Sequence, residues 1–245
     1  MKNLIIFFIC ILFIGCEILK RENDETNGTA STDSKNSSSE GTIRNFKTNE
    51  LVTYLCTADF KGDLEGYSGT VNLTMSIQDG IKNNSGKDCN EFLTIMEFSI
   101  PEIEYEETFR SSIYYHQDSS GNLYKCGSKL EDTGELMPIT SGENGIHITM
   151  ESPMSIGNTL NELYRYENGS WRDCTDIVKN KSLVTVGLEK KEAYLLQSYC
   201  KDQDGEDSTY DEYYIPSVYG IFPVLVEGSE ETFDMECRAE NFSLK

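Results

Sequence analysis

The chain has 245 residues and a formal net charge of −21 at pH 7, from 42 Asp and Glu against 21 Lys and Arg. A charge of that sign and size repels nucleic-acid phosphates and anionic head groups, so a nucleic-acid role is excluded; it favours solubility and specifies no fold. No apolar run approaches the roughly 20 residues that a bilayer-crossing helix needs.

Met1-Lys2-Asn3 precedes an uncharged stretch from Leu4 to Ile14, followed by Gly15-Cys16. Charged start, short apolar run and small residue at the cut are the order of an export signal. Phe13-Ile14-Gly15-Cys16 resembles the lipobox of bacterial lipoproteins, where a dedicated peptidase cleaves before a cysteine already carrying diacylglycerol. An ordinary secretory peptide with a cysteine near its cut is the alternative. The resemblance implies a signal peptide over residues 1–15, lipid on Cys16, and the membrane as a partner through that anchor. It places the chain in the cell envelope outside the cytoplasm. Glu17 is not the Asp that in this family marks inner-membrane retention, which permits the outer membrane where the host has one. Each acyl CH₂ buried is worth about 0.8 kcal/mol, so two or more chains make release slow. Cleavage removes Lys2 and no acid, leaving a formal −22.

Residues 16–45 form the next segment, with Asn27-Gly28-Thr29, Asp33-Ser34-Lys35-Asn36 and Ser37-Ser38-Ser39 and almost nothing apolar to bury. Such a composition does not repay ordering entropy, and a flexible polar tether is expected, its ends on the order of 30 Å apart. Residues 46–245 suit one β-rich domain.

Within that domain, apolar residues alternate at Val52/Tyr54/Cys56/Ala58/Phe60, Val71/Leu73/Met75/Ile77, Ile146/Ile148/Met150 and Phe233/Met235/Cys237/Ala239. Period two is the signature of strands with one face in a core. Further strand-like runs are Glu91–Ile100, Arg110–His116, Asn122–Cys126, Leu163–Tyr166, Leu183–Leu188, Ala193–Tyr199, Glu212–Ile215 and Gly220–Val226. Asp79-Gly80, Gly121-Asn122, Gly142 to Gly145, Asn168-Gly169 and Asp204-Gly205 supply turn signals, with Leu163–Trp171 the cleanest hairpin. Asn158–Tyr164 reads as a short helix capped by Asn158, and Glu189–Glu192 as a turn. The fold expected is mainly β with little helix, an antiparallel meander curled into an open barrel, half-barrel or sandwich.

Pro153-x-x-x-Gly157, Leu183 to Gly187, Ala193-Tyr194 and Tyr213 to Ile221 together resemble a pattern met in exported bacterial β-domains of uncharacterised function. That resemblance implies an antiparallel sheet wrapped as an open barrel, allows an apolar groove, and implies no activity.

After removal of Cys10 and lipidation of Cys16, six cysteines remain: Cys56, Cys89, Cys126, Cys174, Cys200 and Cys237. An even count outside the cytoplasm points to disulfides, of which six cysteines allow 15 connectivities; spacing does not choose among them. No Cys-x-x-Cys pair supports a metal or redox site, and none is expected. Only His116 and His147 are available as catalytic bases, and His147 alternates with Ile146 and Ile148, which assigns it to a solvated face. Gly66-Tyr67-Ser68-Gly69-Thr70 lacks the last glycine of a nucleophile elbow, and acid pairs such as Glu102/Glu104 and Glu106/Glu107 read as solvated surface. Asp202 to Asp207 is the sharpest acidic cluster, but its spacing departs from a calcium loop. Tyr210, Tyr213, Tyr214 and Tyr219 form the one candidate ligand surface, against the simpler account that tyrosine is common in strands.

The expectation is therefore a non-enzymatic binding module at the envelope, for an apolar ligand or an envelope or host protein, with no cofactor. A structural or antigenic surface lipoprotein is the alternative, and an envelope hydrolase a third. An apolar cavity would favour the first, a filled core the second, and converging carboxylates the third.

Overall fold

The alternating runs become strands of one sheet. In the computed structural model of the chain, residues 41–61, 65–83, 86–130, 136–138, 146–165, 171–202, 207–229 and 233–245 are described. The expected export signal, Cys16, the tether as far as Glu40, residues 203–206 of the acidic cluster, and the turns at Gly142 to Gly145 and Asn168-Gly169 lie outside them.

Thirteen strands follow one another: β1 (Leu51–Phe60), β2 (Ser68–Lys82), β3 (Asp88–Ile100), β4 (Tyr105–Gln117), β5 (Leu123–Leu130), β6 (Leu136–Pro138), β7 (His147–Met150), β8 (Thr159–Arg165), β9 (Trp171–Val186), β10 (Glu189–Asp202), β11 (Asp207–Tyr214), β12 (Leu225–Ser229) and β13 (Phe233–Ser243). Their order is β6-β5-β4-β3-β2-β1-β13-β12-β11-β10-β9-β8, with β7 also paired to β5. All ladders are antiparallel, so the chain climbs and descends in a simple meander, and pairing of β1 with β13 joins its two ends. β6 and β7 share one edge of β5, and β7 comes beside β8 without a ladder. The sheet is thus a nearly closed barrel with one seam, which hides most of the strand edges that an open sheet would expose.

Four local readings are corrected by the ladders. Asn158–Tyr164 is not a helix: Thr159–Arg165 pairs with Trp171 to Ile177, and the Asn158 amide donates to Glu151 Oε2 at 3.2 Å instead of capping. A free edge on β9 outweighs a weak helical preference in seven residues. Glu189–Glu192 belongs to β10, and the turn is the two-residue Gly187-Leu188, with Gly187 at φ +60. Asp79-Gly80 lies inside β2, where the register slips between Gln78 and Ile81. A Cβ on Gly80 would stand 1.6 Å from the Cys89 carbonyl oxygen, so glycine is there for close approach at a bulge rather than for a hairpin. Finally, the polar stretch before Leu183 is also strand, making β9 16 residues long.

Inward positions of β1, β2, β3 and β13 build the main core, with Val52, Tyr54, Leu73, Ile77, Phe92, Met96, Phe233 and Met235 all buried. Phe92 holds its neighbours edge-on, with ring centroids 5.1 Å from both Phe46 and Tyr115. A smaller core lies on the outer face, where Val184, Ala193, Val224 and Leu225 pack with Ile215.

One end of the barrel is plugged by residues 41–50 and 215–224. The Arg44 N–H donates to the Pro216 carbonyl (3.1 Å), the Phe46 N–H to Gln117 Oε1 (3.0 Å), and the Ile43 N–H to Ser152 Oγ (3.1 Å). Arg44 makes a two-pronged pair with Glu50 at 2.8 and 2.9 Å, and the Lys245 N–H donates to the same carboxylate. Burial alone would raise the Glu50 pKa, but those partners outweigh it and hold the carboxyl below its usual range. Residues 41–45, read from composition as tether, thus pack with the barrel: Ile43 is 1% exposed. Polar neighbours concealed it, because one apolar residue in a polar segment carries no periodicity.

Candidate functional site

The barrel is not filled. A cavity of about 220 Å³ lies in its interior, floored by Ile221 and Pro223 of the plug. At about 30 Å³ each, that is space for roughly seven waters or one small molecule. Tyr54 spans part of it, its hydroxyl donating to the Pro223 carbonyl at 2.9 Å.

Two walls of different chemistry face each other across this space. On one, β1 to β5 present Tyr54, Leu73, Met75, Phe92, Ile113, Tyr115 and Leu123, with Lys125 at the edge. On the other, β8 to β11 present Glu162, Asp176, Ser198, Tyr210, Glu212 and Tyr214. The register accounts for that second set: Asp176 stands opposite Ser198, Ser198 opposite Tyr210, and Leu196 opposite Glu212. Residues directly opposed point to the same face, so one polar stripe crosses the three strands β9, β10 and β11. Lys125, Glu162 and Asp176 are all buried, which is costly for charged groups unless neighbours or a ligand compensate.

Glu212 is strongly perturbed. Burial pushes its pKa up to about 7, nearby Asp176 adds repulsion, and the Tyr214 hydroxyl, donating at 2.8 Å, partly opposes them. Burial also raises Tyr54 and Tyr214 well above the ordinary phenol range, and the Glu212 charge adds to both. A carboxyl and two phenols thus form one coupled group inside the barrel. A second void of about 20 Å³ at the β7/β8 seam shares Thr149, Met150, Asp176 and Leu196 with the first and reaches the exposed Glu151.

The four candidate tyrosines do not form one surface. Tyr210 and Tyr214 line the cavity. Tyr213 faces outward, packed on the outer core, and its hydroxyl donates to Glu227 Oε2 at 3.0 Å. Tyr219 stacks on Phe242 with ring centroids 4.0 Å apart and accepts from Lys191 Nζ at 3.2 Å. Alternation separates Tyr213 from Tyr214, and Tyr219 lies beyond the strand on the helical turn Pro216–Tyr219.

All six remaining cysteines are paired: Cys56–Cys237 across β1 and β13, Cys174–Cys200 across β9 and β10, and Cys89–Cys126 between β3 and β5. Cys237, Cys174 and Cys200 line the cavity; the third bridge packs with Tyr114 and Ile146 in a separate cluster. His147 pairs in register with the inward-facing Lys125, so it shares the face of Lys125 rather than lying on the outer one. His116 is exposed, its Nδ1 2.9 Å from the Asp88 carbonyl oxygen. Among the described residues, no three His, Cys, Asp or Glu side chains are grouped to hold a metal ion.

Lys125, Glu162, Asp176 and Glu212 were not singled out from the sequence. Parity contained the signal: Glu212 alternates with Tyr210 and Tyr214, and Asp176 with Cys174 and Val178. Charge on an inward position is normally read as charge on an outward one.

No family model matches the chain, and no curated protein matches it. Two solved structures are similar. One, from Bacteroides fragilis, is designated an exported protein with a YmcC-like fold; it is 11% identical, with 82% of this chain and 99% of that one covered, at a TM-score of 0.40. The other, from Parabacteroides distasonis, is designated a lipoprotein; it is 9% identical, with 85% of this chain and 100% of that one covered, at a TM-score of 0.41.

Proposed function

We propose that the chain is a lipid-anchored protein of the cell envelope whose barrel binds a small amphipathic molecule carrying a basic nitrogen. The observation that supports this reading most directly is the split lining of the interior cavity, with aromatic and aliphatic side chains on one wall and three carboxyl groups on the other. An apolar body suits the first wall, and an ammonium group can donate hydrogen bonds to the carboxyl groups of the second. The purely apolar ligand expected from the sequence fits the second wall poorly. For the anchor, the export signal and the Phe13 to Cys16 motif provide the support.

Calorimetric titration of the mature chain with hexylamine, hexanol and hexanoate tests the ligand class. Hexylamine should bind well at pH 8 and severalfold more weakly at pH 5, where Glu212 is protonated; hexanol and hexanoate should bind weakly throughout. Equal binding of all three, or none, would remove the reading. Intact mass of membrane-purified protein beside Cys16→Ala tests the anchor. A start at Cys16 with acyl mass is expected, and an unlipidated chain in the soluble fraction refutes it.

A second reading has one observation in its favour. Glu212, its pKa raised to about 7, beside the second carboxyl group of Asp176 resembles the carboxyl pair that glycoside hydrolysis employs. Under that reading Glu212→Gln would abolish turnover of nitrophenyl glycosides; under binding alone there is no turnover to lose.

A further inference from the structure

The hairpin of β9 and β10 runs past the end of the barrel wall. β8 begins at Thr159 opposite Ile177, and β11 ends at Tyr214 opposite Tyr194, so the ladder from Lys181↔Tyr194 to Val186↔Glu189 extends beyond both neighbours. Five residue steps along β10 separate those two pairs, and at about 3.3 Å each they carry the tip roughly 17 Å outward. One face of the extension is covered, since Val184 and Ala193 pack on Ile215 and Val224. The apex is not: Leu188 in the turn is 105% exposed, and Leu183, opposite Glu192 nearer the base, is 72% exposed. Scattered exposed leucines are ordinary, but a fully exposed one at the apex of a projecting hairpin, with a second on its flank, calls for a partner.

Local charge narrows what that partner is. From Lys179 to Glu192 the hairpin holds four lysines and two glutamates, in a chain that is otherwise strongly acidic. Both glutamates are paired, Glu192 with Lys181 at 3.1 Å and Glu189 with Lys191 at 3.4 Å, which leaves a local surplus of positive charge from Lys179 and Lys190. Leucine at the apex with lysine behind it is the pattern of a segment lying in a bilayer interface.

The route of the chain agrees. The Gly41 carbonyl accepts from the Met154 N–H at 2.8 Å, and a Cβ on Gly41 would lie 3.2 Å from the Tyr194 hydroxyl. Tyr194 carries Lys181 Nζ 4.7 Å from its ring centre. The chain from Cys16 therefore enters the domain at the base of this hairpin. The 24 residues between Cys16 and Gly41 have a maximum reach of about 80 Å, more than the roughly 17 Å from hairpin base to tip.

We infer that the β9–β10 tip docks into the same bilayer that holds the lipid on Cys16, with Leu188 at the acyl-chain ends and the lysines against acidic phospholipid head groups. This rests on the anchored reading above for the presence of that bilayer. It also gives the barrel a fixed orientation, plugged end toward the membrane.

The chain from Cys16 onward has one free thiol, because its other six cysteines are bonded. It can therefore be coupled at Cys16 to a maleimide phospholipid in phosphatidylglycerol–phosphatidylcholine vesicles that contain nitroxide-labelled lipid, whether or not cells lipidate it. The sole tryptophan, Trp171, lies at the far end of β9, about 50 Å from the turn at strand rise. In Leu188→Trp with Trp171→Phe, emission should shift to the blue and be quenched at least threefold, while Trp171 of the parent chain is unaffected. Water-like emission at position 188 on vesicle-bound protein overturns the inference. So does a blue shift before vesicles are added that accompanies dimerisation in sedimentation, which would assign the tip to a second copy. Failure of the anchor is read separately, by the intact-mass experiment.

Discussion

The two walls of the barrel share the same period-two strands and differ in what they turn inward. From β13 through β1 to β3 the inward side chains are mostly apolar, and Cys56–Cys237 staples the joint between the two ends of the meander. From β8 to β11 the inward positions carry Glu162, Asp176, Ser198 and Glu212 beside a cavity. Carboxyl groups resist the close packing that would expel their remaining solvation, so a wall of this kind keeps space open where an apolar one collapses. The first wall stabilises the fold, and the second costs stability.

Removing the staples should show the largest difference. By loop closure, Cys56→Ala/Cys237→Ala should lose about 5 kcal/mol against about 3.5 for Cys174→Ala/Cys200→Ala, because the sequence separations are 181 and 26. Urea midpoints at equal m-value measure both, and equal losses would break the contrast. Next, Phe92→Ala on the packed wall should cost about 4 kcal/mol, as a buried aromatic leaving a void.

Glu212→Gln should act in the opposite sense. The folded-state pKa of about 7 lies above the ordinary 4.5, so the native protein holds this proton more tightly than the unfolded chain does. Below pH 4.5 the group is neutral in both states; its penalty grows between 4.5 and 7 and is complete above that, at about 3 kcal/mol as an upper figure. The variant should be more stable than the parent at pH 8 and equal to it at pH 4, read from thermal midpoints. Glu50 has the reverse sign: its lowered pKa gives stability that is present above 4.5 and lost as pH falls through its folded value. Denaturation of Glu50→Gln should therefore lose part of the acid limb seen in the parent. The smallest effect should be Leu183→Ser, within about 0.5 kcal/mol by urea, since that side chain is already in water. A larger loss would mean that Leu183 is covered within the fold.

Much of the packed wall was legible beforehand, because Val52 to Phe60 and Val71 to Ile77 place apolar residues at every second position and both lie where the alternation puts them. The acidic wall was not. Asp173 to Ser182 alternates Cys174, Asp176 and Val178 inward, and the charge in the middle of that set hides the period. The same masking removed Glu212 from view, although it sits between two tyrosines that were noted.

By itself the sequence determined the class of fold, most of the strands, the strong acidity, and the motif that points to an anchor at Cys16. These are local properties: the periodicity, charge and chemistry of neighbouring residues. Only the tertiary structure decided the cysteine pairing, the division of four tyrosines between the inside and outside of the barrel, the plug formed by residues 41–50, and the meeting of Glu162, Asp176 and Glu212 around one cavity. Each of these depends on register between strands far apart in the chain, and a slip of one residue would turn every inward side chain outward.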